Sequence, residues 1–295
     1  MKNTVFTGAG VAIVTPMHED FSINYEKLRE LIEWQILNGT DAIVACGTTG
    51  ESATMSTEEH IEVIRFTIET VAGRVPVVAG TGSNETAYAA ELSNEAEKAG
   101  ADALLLVTPY YNKTSQMGLI KHYNYIADRV NTPVILYNVP SRTGVDIKPQ
   151  TYAELCKHPN IVATKEANGK LDAIALTMNL CGDNLDIYSG EDGLISPTVA
   201  LGGKGVISVL SNVVPKETHD IAMLGLKGDF KDSAALQIKY APLVEALFSD
   251  VNPIPVKTAL NLMGRGVGEC RLPLCEMTDS GLANLKKVLG SYKLI

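Results

Sequence analysis

Eight short apolar segments recur along this chain, and each ends in a small, polar or turn-forming residue. Each has the length of a β-strand and contains β-branched residues, which is typical of strands buried on both faces. The segments are GVAIVTP (10–16), DAIVACGTTG (41–50), VPVVAGTG (75–82), DALLLVTPYY (102–111), PVILYNVP (133–140), IVATKE (161–166), LDIYSGED (185–192) and GVISVLSN (205–212).

Helical patterns separate these segments. Residues 25–39 place apolar side chains and one glutamine at helical spacing before a terminal glycine: Leu28, Leu31, Ile32, Gln35 and Gly39. Residues 56–73 begin with a Ser-x-x-Glu capping box, Ser56 to Glu59, and residues 84–101 form a third such stretch. Successive strands start roughly 20–35 residues apart, which is the size of a β-α unit.

Eight β-α units predict an α/β fold, a (β/α)8 TIM barrel. A doubly wound sheet is the alternative, but it requires a GxGxxG turn after the first strand, and the sequence there is TPMHED. From about residue 228 the pattern contains helices without strands. We therefore predict a catalytic barrel over residues 1–227 and a C-terminal helical segment over residues 228–295.

Composition excludes several classes of function. The net charge of −9, without a cluster of Lys and Arg, argues against a nucleic-acid partner. The first residues contain no apolar stretch of signal-peptide length, and no apolar run approaches the roughly 20 residues that span a bilayer. The five cysteines and five histidines are scattered without metal-ligand spacing. We expect a soluble cytoplasmic protein with reduced thiols, no membrane partner and no metal.

Reactions on barrels of this kind take place at the C-terminal ends of the strands. The polar residues that should meet there are Thr15, Thr48, Thr49, Tyr110, Tyr111, Tyr137, Asn138, Lys165, Ser189 and Gly190. Alternation along the sixth segment groups Ile161, Ala163 and Lys165 on one face, and the fifth groups Ile135 with Tyr137.

Lys165 is the unusual residue, because it ends a segment that otherwise suits burial. An ordinary lysine is neutral in only about 0.04% of molecules at pH 7. Burial would lower its pKa and create a nucleophile for a carbonyl carbon. Two structural interpretations remain open: the ammonium emerges into water, or it pairs with Glu51 or Glu191.

Three motifs together resemble those of the dihydrodipicolinate synthase and N-acetylneuraminate lyase family. They are GTTGES (47–52), YNVPSRTG (137–144) and VATKEA (162–167), and the similarity extends over essentially the whole chain. The resemblance implies a Schiff-base aldolase on a (β/α)8 barrel. Its covalent catalyst is a lysine, so no dissociable cofactor is implied.

The resemblance also assigns roles to individual residues. Lys165 would form the imine with pyruvate, and Tyr137, Thr48 and Tyr111 would relay protons. Substrate contacts would come from Thr49, Arg142, Gly190 and Ile207. Family members assemble as homodimers or tetramers, in which the tyrosine at position 111 crosses the dimer interface into the partner's site.

Some family members are inhibited by L-lysine at that interface. Five positions match the inhibitor site: Ser52, Ala53, His60, Asn84 and Tyr110. Two depart from it, since Thr57 replaces a frequent histidine and Tyr88 replaces a glutamate. A hydrogen bond to a charged group contributes about 1.5–3 kcal/mol, so the missing carboxylate predicts weak or absent inhibition by lysine.

The resemblance leaves three functions to compare. The arginine of YNVPSRT marks the branch that condenses pyruvate with L-aspartate 4-semialdehyde to 4-hydroxy-tetrahydrodipicolinate, the first committed step of lysine and diaminopimelate biosynthesis. The second is a pyruvate-dependent aldolase that cleaves a 2-keto-3-deoxy sugar acid or N-acetylneuraminate, whose polyol would favour hydroxyl partners over Arg142. The third is a sensor without activity, which would have no need of Lys165 and its tyrosines.

Overall fold

In the computed structural model, which describes residues 2–295, eight parallel strands join edge to edge into a closed barrel. The strands are β1 (Gly8–Ala12), β2 (Ala42–Ala45), β3 (Val77–Gly80), β4 (Ala103–Val107), β5 (Val134–Asn138), β6 (Ile161–Glu166), β7 (Asp186–Ser189) and β8 (Gly205–Ser208). Because β1 pairs with both β2 and β8, the sheet has no free edge. The predicted (β/α)8 barrel is confirmed.

Helices connect the strands on the outside of the barrel. Their bounds are α1 (Tyr25–Leu37), α2 (Thr57–Val71), α3 (Thr86–Ala99), α4 (Gln116–Ala127), α5 (Pro140–Thr143), α6 (Pro149–Leu155), α7 (Leu171–Cys181), α8 (Ile195–Ala200) and α9 (Pro215–Leu226). The apolar stripe predicted for α1 is buried, and the Ser56–Glu59 capping box begins α2 as predicted.

Three more helices follow the barrel: α10 (Phe230–Leu247), α11 (Ile254–Leu262) and α12 (Asp279–Ser291). Helix α10 packs on α9, and α12 packs on α10 and α11. The predicted helical extension is therefore present, while its separation as a unit at residue 228 stays a prediction. None of the helices within residues 2–295 is both long enough and apolar enough to cross a bilayer.

Two apolar layers flank the strands. The inner layer fills the barrel with apolar and aromatic side chains, including Val44, Leu105 and Ile135. The outer layer, between strands and helices, includes Ile43, Leu104 and Leu136. Alternation along the strands assigns successive side chains to opposite layers, except at one irregularity in β6.

A β-bulge in β6 corrects one sequence prediction. Val134 pairs with Ile161, but the next residue of β5, Ile135, pairs with Ala163. The extra residue, Val162, joins Ala163 in the inner layer, whereas Ile161 packs in the outer layer. The prediction that Ile161 shares a face with Lys165 is therefore wrong.

The barrel closes where β1 meets β8, and this contact requires glycine. Gly205 has φ +147°, and a Cβ atom on it would overlap the carbonyl oxygen of Gly8. An L-residue with a side chain rarely adopts that φ value. Glycine at this position lets the two strands approach closely enough to complete the sheet.

Candidate active site

A cavity of about 620 Å³ opens at the C-terminal ends of the strands. It brings together six of the eight residues that the sequence predicts for catalysis and substrate binding: Thr48, Thr49, Tyr137, Arg142, Lys165 and Gly190. Most of the remaining lining is apolar, so a charged side chain inside it is poorly hydrated. This cavity is the candidate active site.

Lys165 and Tyr137 meet at the floor of the cavity. They are register partners on β6 and β5, and the Nζ atom of Lys165 lies 4.3 Å from the centroid of the Tyr137 ring. Only 6% of Lys165 is exposed, which excludes the solvated interpretation. Glu51 pairs instead with Lys257, at 2.7 Å, and Lys165 forms no ion pair with Glu191 in the part of the chain that the structure describes.

Burial shifts the pKa of both groups away from their ordinary values. Desolvation lowers the pKa of Lys165 to about 8, reinforced by the Arg142 charge and opposed by that of Asp192. The amine is then neutral in about 10% of molecules at pH 7, against about 0.04% for an ordinary lysine. Desolvation also raises the pKa of Tyr137 to about 12, although the charge of Arg142 and the nearby Thr48 side chain oppose the rise. Lys165 can act as a nucleophile, and Tyr137 keeps its proton.

Thr48 and Thr49 lie in a tight turn directly after β2. The turn is closed by a hydrogen bond from the Gly50 amide to the Gly47 carbonyl, at 3.1 Å, and by another from the Glu51 amide to the Thr48 carbonyl, at 3.1 Å. The Glu51 side chain connects the turn to helix α11, because it accepts a hydrogen bond from Lys257. The turn thus presents two hydroxyl groups to the cavity from a fixed backbone.

The C-terminal segment forms one wall of the cavity. Residues between 244 and 252 contribute lining side chains: Val244, Glu245, Phe248, Asp250, Val251 and Asn252. The Asn252 amide nitrogen donates to Thr49 Oγ1, at 3.0 Å, and its main-chain carbonyl accepts from Arg142 Nη2, at 3.2 Å. Sequence reasoning missed Asn252, because no local motif marks a residue that reaches the barrel from a separate helical segment.

Asp192 is a second residue that the sequence did not single out. Its carboxylate is buried and accepts hydrogen bonds from Ser208 Oγ at 2.5 Å, Val209 N at 3.1 Å and Leu210 N at 2.8 Å. Its charge favours the protonated form of Lys165. Its position at the end of the seventh apolar segment is the sequence feature that could have identified it as a site residue.

Of the residues assigned to substrate binding, Gly190 borders the cavity and Ile207 does not. Gly190 borders Lys165 so closely that a Cβ on it would lie 2.7 Å from Ala167 Cβ and 3.1 Å from Lys165 Cγ. Ile207 is buried in the inner layer and does not border the cavity. Glycine at position 190 therefore leaves room beside the amine.

Tyr111 lies outside the cavity. It is 91% exposed, in the loop after β4, and its φ is +69°. Among the described residues, Tyr111 is not part of the cavity lining.

A second cavity, of about 520 Å³, adjoins the first and shares with it Thr48, Val139, Arg142, Val251 and Asn252. Four of the five residues assigned to the lysine-inhibition site line it: Ser52, Ala53, His60 and Tyr110. Asn84 does not, but its amide donates to the Tyr110 carbonyl, at 3.1 Å. The two departing residues hydrogen-bond to each other, with Thr57 Oγ1 and the Tyr88 hydroxyl 2.9 Å apart.

Comparison with known proteins agrees with this geometry. A sequence profile of the dihydrodipicolinate synthetase family matches residues 5–291. The chain belongs to that family. Three of its similar relatives are a 4-hydroxy-tetrahydrodipicolinate synthase of Lachnoclostridium phytofermentans, one of Thermoanaerobacter sp. (strain X514), and a crystal structure from Acinetobacter baumannii.

The Lachnoclostridium relative of the dihydrodipicolinate synthetase family is 60% identical over 277 residues, 94% of each chain. The Thermoanaerobacter relative is 54% identical over 292 residues, 99% of this chain and 98% of the relative. The Acinetobacter structure, of a chloride-inhibited dihydrodipicolinate synthase complexed with pyruvate, is 42% identical, covers 99% of this chain and 100% of its own, and superposes with a TM-score of 0.97.

Proposed function

We propose that this protein condenses pyruvate with L-aspartate 4-semialdehyde to 4-hydroxy-tetrahydrodipicolinate, through a covalent imine on Lys165. The observation that carries the proposal is a buried amine at the end of β6, 4.3 Å from a tyrosine ring, in a cavity that also contains Arg142. The names of the similar relatives and the pyruvate in the Acinetobacter structure support it.

In the first half of the proposed reaction, neutral Lys165 attacks C2 of pyruvate. The carbinolamine loses water, and the protonated imine withdraws electrons from the neighbouring methyl group. Loss of a methyl proton then gives an enamine. The hydroxyl of Thr49 and the amides of its turn are suited to hold the pyruvate carboxylate as a small anion nest.

In the second half, the enamine carbon attacks the aldehyde carbon of the semialdehyde. Arg142 offers a guanidinium that matches a carboxylate in two-point fashion, which would hold the second substrate. The substrate's own amine then attacks the imine carbon and displaces Lys165. The ring product leaves and the lysine is regenerated.

Tyr137 is suited to transfer protons during these steps. Its phenol is buried, and the ring lies close to Lys165. A group that keeps its proton at neutral pH can donate it to a leaving hydroxide and recover it later. The third member of the relay, Tyr111, would come from a partner chain in a homodimer or tetramer. Its exposure is consistent with a surface that a second copy covers.

The decisive experiment traps the imine. Borohydride reduction of the purified protein with pyruvate should add one reduced pyruvate per chain, detected by intact mass. The adduct should vanish in Lys165→Ala and persist in Lys170→Ala, a matched control on an exposed lysine nearby. Absence of an adduct in the unmodified protein would refute imine catalysis.

A second assay identifies the acceptor aldehyde. We expect product formation with aspartate semialdehyde, and no pyruvate release from N-acetylneuraminate or from a 2-keto-3-deoxy sugar acid. The physical reason is Arg142, which suits a carboxylate better than a polyol. Faster turnover of either sugar acid would assign the protein to the lyase branch.

We also propose that L-lysine inhibits this protein weakly or not at all. Tyr88 holds the place of a carboxylate and is engaged by Thr57, so nothing at that position would neutralise an ammonium group. The missing carboxylate predicts that L-lysine binds roughly 10- to 150-fold more weakly than to a site that contains one. Inhibition assays test this directly, and half-inhibition at submillimolar lysine would contradict it.

A further inference from the structure

One polar atom in the candidate active site lacks a partner. Asn252 is 5% exposed and borders both cavities, and within residues 2–295 its side-chain oxygen Oδ1 is buried without a hydrogen bond. Leaving a buried acceptor unpaired costs about 1–3 kcal/mol, so such atoms are rare in folded proteins. An acceptor held in this way is ready for a donor that arrives with a ligand.

In the structure the oxygen end of the Asn252 amide is the free one. The Nδ2 group of Asn252 donates to Thr49 Oγ1, at 3.0 Å, so Oδ1 remains as the acceptor. Because the Thr49 hydroxyl accepts this bond, its own proton stays available for a substrate carboxylate. The pair therefore leaves one donor and one acceptor free beside the cavity.

The chemistry of the two substrates decides which of them supplies the donor. Pyruvate carries only acceptor atoms. Aspartate semialdehyde carries an ammonium group on the same carbon as its carboxylate, so its donor must lie beside the group that binds the carboxylate. Asn252 is beside Arg142, since its own main-chain carbonyl accepts from Arg142 Nη2, at 3.2 Å.

We infer that Asn252 is a specificity-determining residue, whose Oδ1 accepts a hydrogen bond from the amino group of the second substrate while Arg142 holds that substrate's carboxylate. The inference rests on the proposed function and assigns the recognition of an α-amino acid to the C-terminal segment. Four carboxylates also border the cavity: Glu191, Asp192, Glu245 and Asp250. Asp192 is already engaged by three hydrogen bonds, and Glu245 is exposed. Asp250 Oδ1 is already engaged by the Val251 amide, and Glu191 is only half-buried.

The test compares two semialdehydes that differ only in the amino group. Aspartate semialdehyde is measured as substrate, and succinate semialdehyde, which has the same carboxylate and aldehyde, as competitive inhibitor. Asn252→Ala should raise KM for aspartate semialdehyde about 10- to 150-fold, because it removes a hydrogen bond to a charged group. The inhibition constant of succinate semialdehyde should change by no more than a few-fold.

Further variants separate the two ends of the amide. Asn252→Asp keeps an acceptor and loses the donor to Thr49, so it should retain the preference for aspartate semialdehyde while KM for pyruvate rises. Asn184→Ala, an exposed asparagine before β7, is the matched control and should behave like the unmodified protein. Borohydride trapping of pyruvate on Lys165 shows that each variant is folded.

Two results would overturn the inference. If Asn252→Ala weakened the binding of both semialdehydes equally, the residue would act only by positioning Arg142 or Thr49. If Glu191→Gln weakened the binding of aspartate semialdehyde alone, and Asn252→Ala did not, the amino group would be assigned to Glu191. If the unmodified protein forms the pyruvate adduct but no product with aspartate semialdehyde, the proposed function itself fails, which is a distinct outcome.

Discussion

At the scale of single residues, the site is defined by how burial changes the chemistry of Lys165. Its surroundings are largely apolar, and the nearest opposing influence is Asp192, whose oxygens are engaged by a hydroxyl and two amides. Desolvation is therefore the larger effect, and the pKa of the amine falls to about 8. This shift has consequences for rate and for stability.

The rate of imine formation should follow the titration of Lys165. Because the neutral amine is the nucleophile, kcat/KM for pyruvate should rise about tenfold per pH unit below pH 7 and level off above about pH 8. Stopped-flow measurement of adduct formation between pH 5.5 and 9.5 gives the profile. A plateau reached only near pH 10 would mean that the amine is hydrated like an ordinary lysine.

The same shift predicts that Lys165 destabilises the folded protein at neutral pH. Its pKa is about 10.5 unfolded and about 8 folded, so the unfolded chain binds more protons between these values and stability rises with pH across that window. Below pH 8 the penalty is full, about 3 kcal/mol. Lys165→Met should therefore raise the free energy of unfolding at pH 7 by about that amount, and by much less near pH 10.

Urea unfolding at the two pH values measures the difference. Lys170→Met, which changes an exposed lysine, is the control and should leave the unfolding midpoint unchanged at both. If Lys165→Met raised the free energy of unfolding equally at pH 7 and pH 10, the effect would come from packing and not from protonation.

At the scale of secondary-structure elements, helix α11 and the turn after β2 are joined by a buried ion pair. Lys257 Nζ donates to Glu51 Oε1 at 2.7 Å, and also to the main-chain carbonyls of Thr15 and Glu269. Glu51 Oε2 accepts from the Arg271 amide, at 2.9 Å. The pair connects the C-terminal segment with the turn that carries Thr48.

Breaking this pair should destabilise the protein and impair the site. Lys257→Met leaves the Glu51 charge buried and uncompensated, which costs about 3–5 kcal/mol. We expect a loss of that size in urea unfolding, together with a higher KM for pyruvate as the turn relaxes. The double variant Glu51→Gln/Lys257→Met should recover most of the stability.

An exposed pair serves as the control. Lys216 and Asp220 lie on the surface of α9, so Lys216→Met should leave the unfolding midpoint unchanged. If Lys257→Met behaved in the same way, the buried pair would have no role in fastening the turn.

The elements themselves were largely predictable from the sequence, because each followed from a local rule. Two-sided burial produced eight continuous apolar runs, and the Ser56–Glu59 capping box marked the start of α2. The exceptions depended on distant parts of the chain. The bulge at Val162 arises from register with β5, and the place of Asn252 in the cavity depends on how the C-terminal helices pack.

At the scale of the whole molecule, the proposed relay predicts that one chain is insufficient. Tyr111 faces outward, and the proposed site requires it from a partner. Lys165→Ala and Tyr111→Phe should each be nearly inactive alone. In a refolded equimolar mixture, hybrid dimers contain one site with both groups, so about one quarter of the original activity should return.

Activity of the mixture, measured beside analytical ultracentrifugation of each variant, checks this prediction. Both single variants must sediment as the unmodified protein does. No recovery in a mixture that contains hybrid dimers would mean that Tyr111 does not act in the partner's site.

The wall formed by residues 244–252 also orders events during synthesis. All eight strands leave the ribosome before this wall does. A nascent barrel would therefore already contain Lys165, but its cavity would be open on one side. Asn252, and then Lys257 and Arg271, emerge only after all eight strands. The amine is therefore enclosed only after residue 252 has been synthesised, and chains that stop earlier lack this wall of the proposed site.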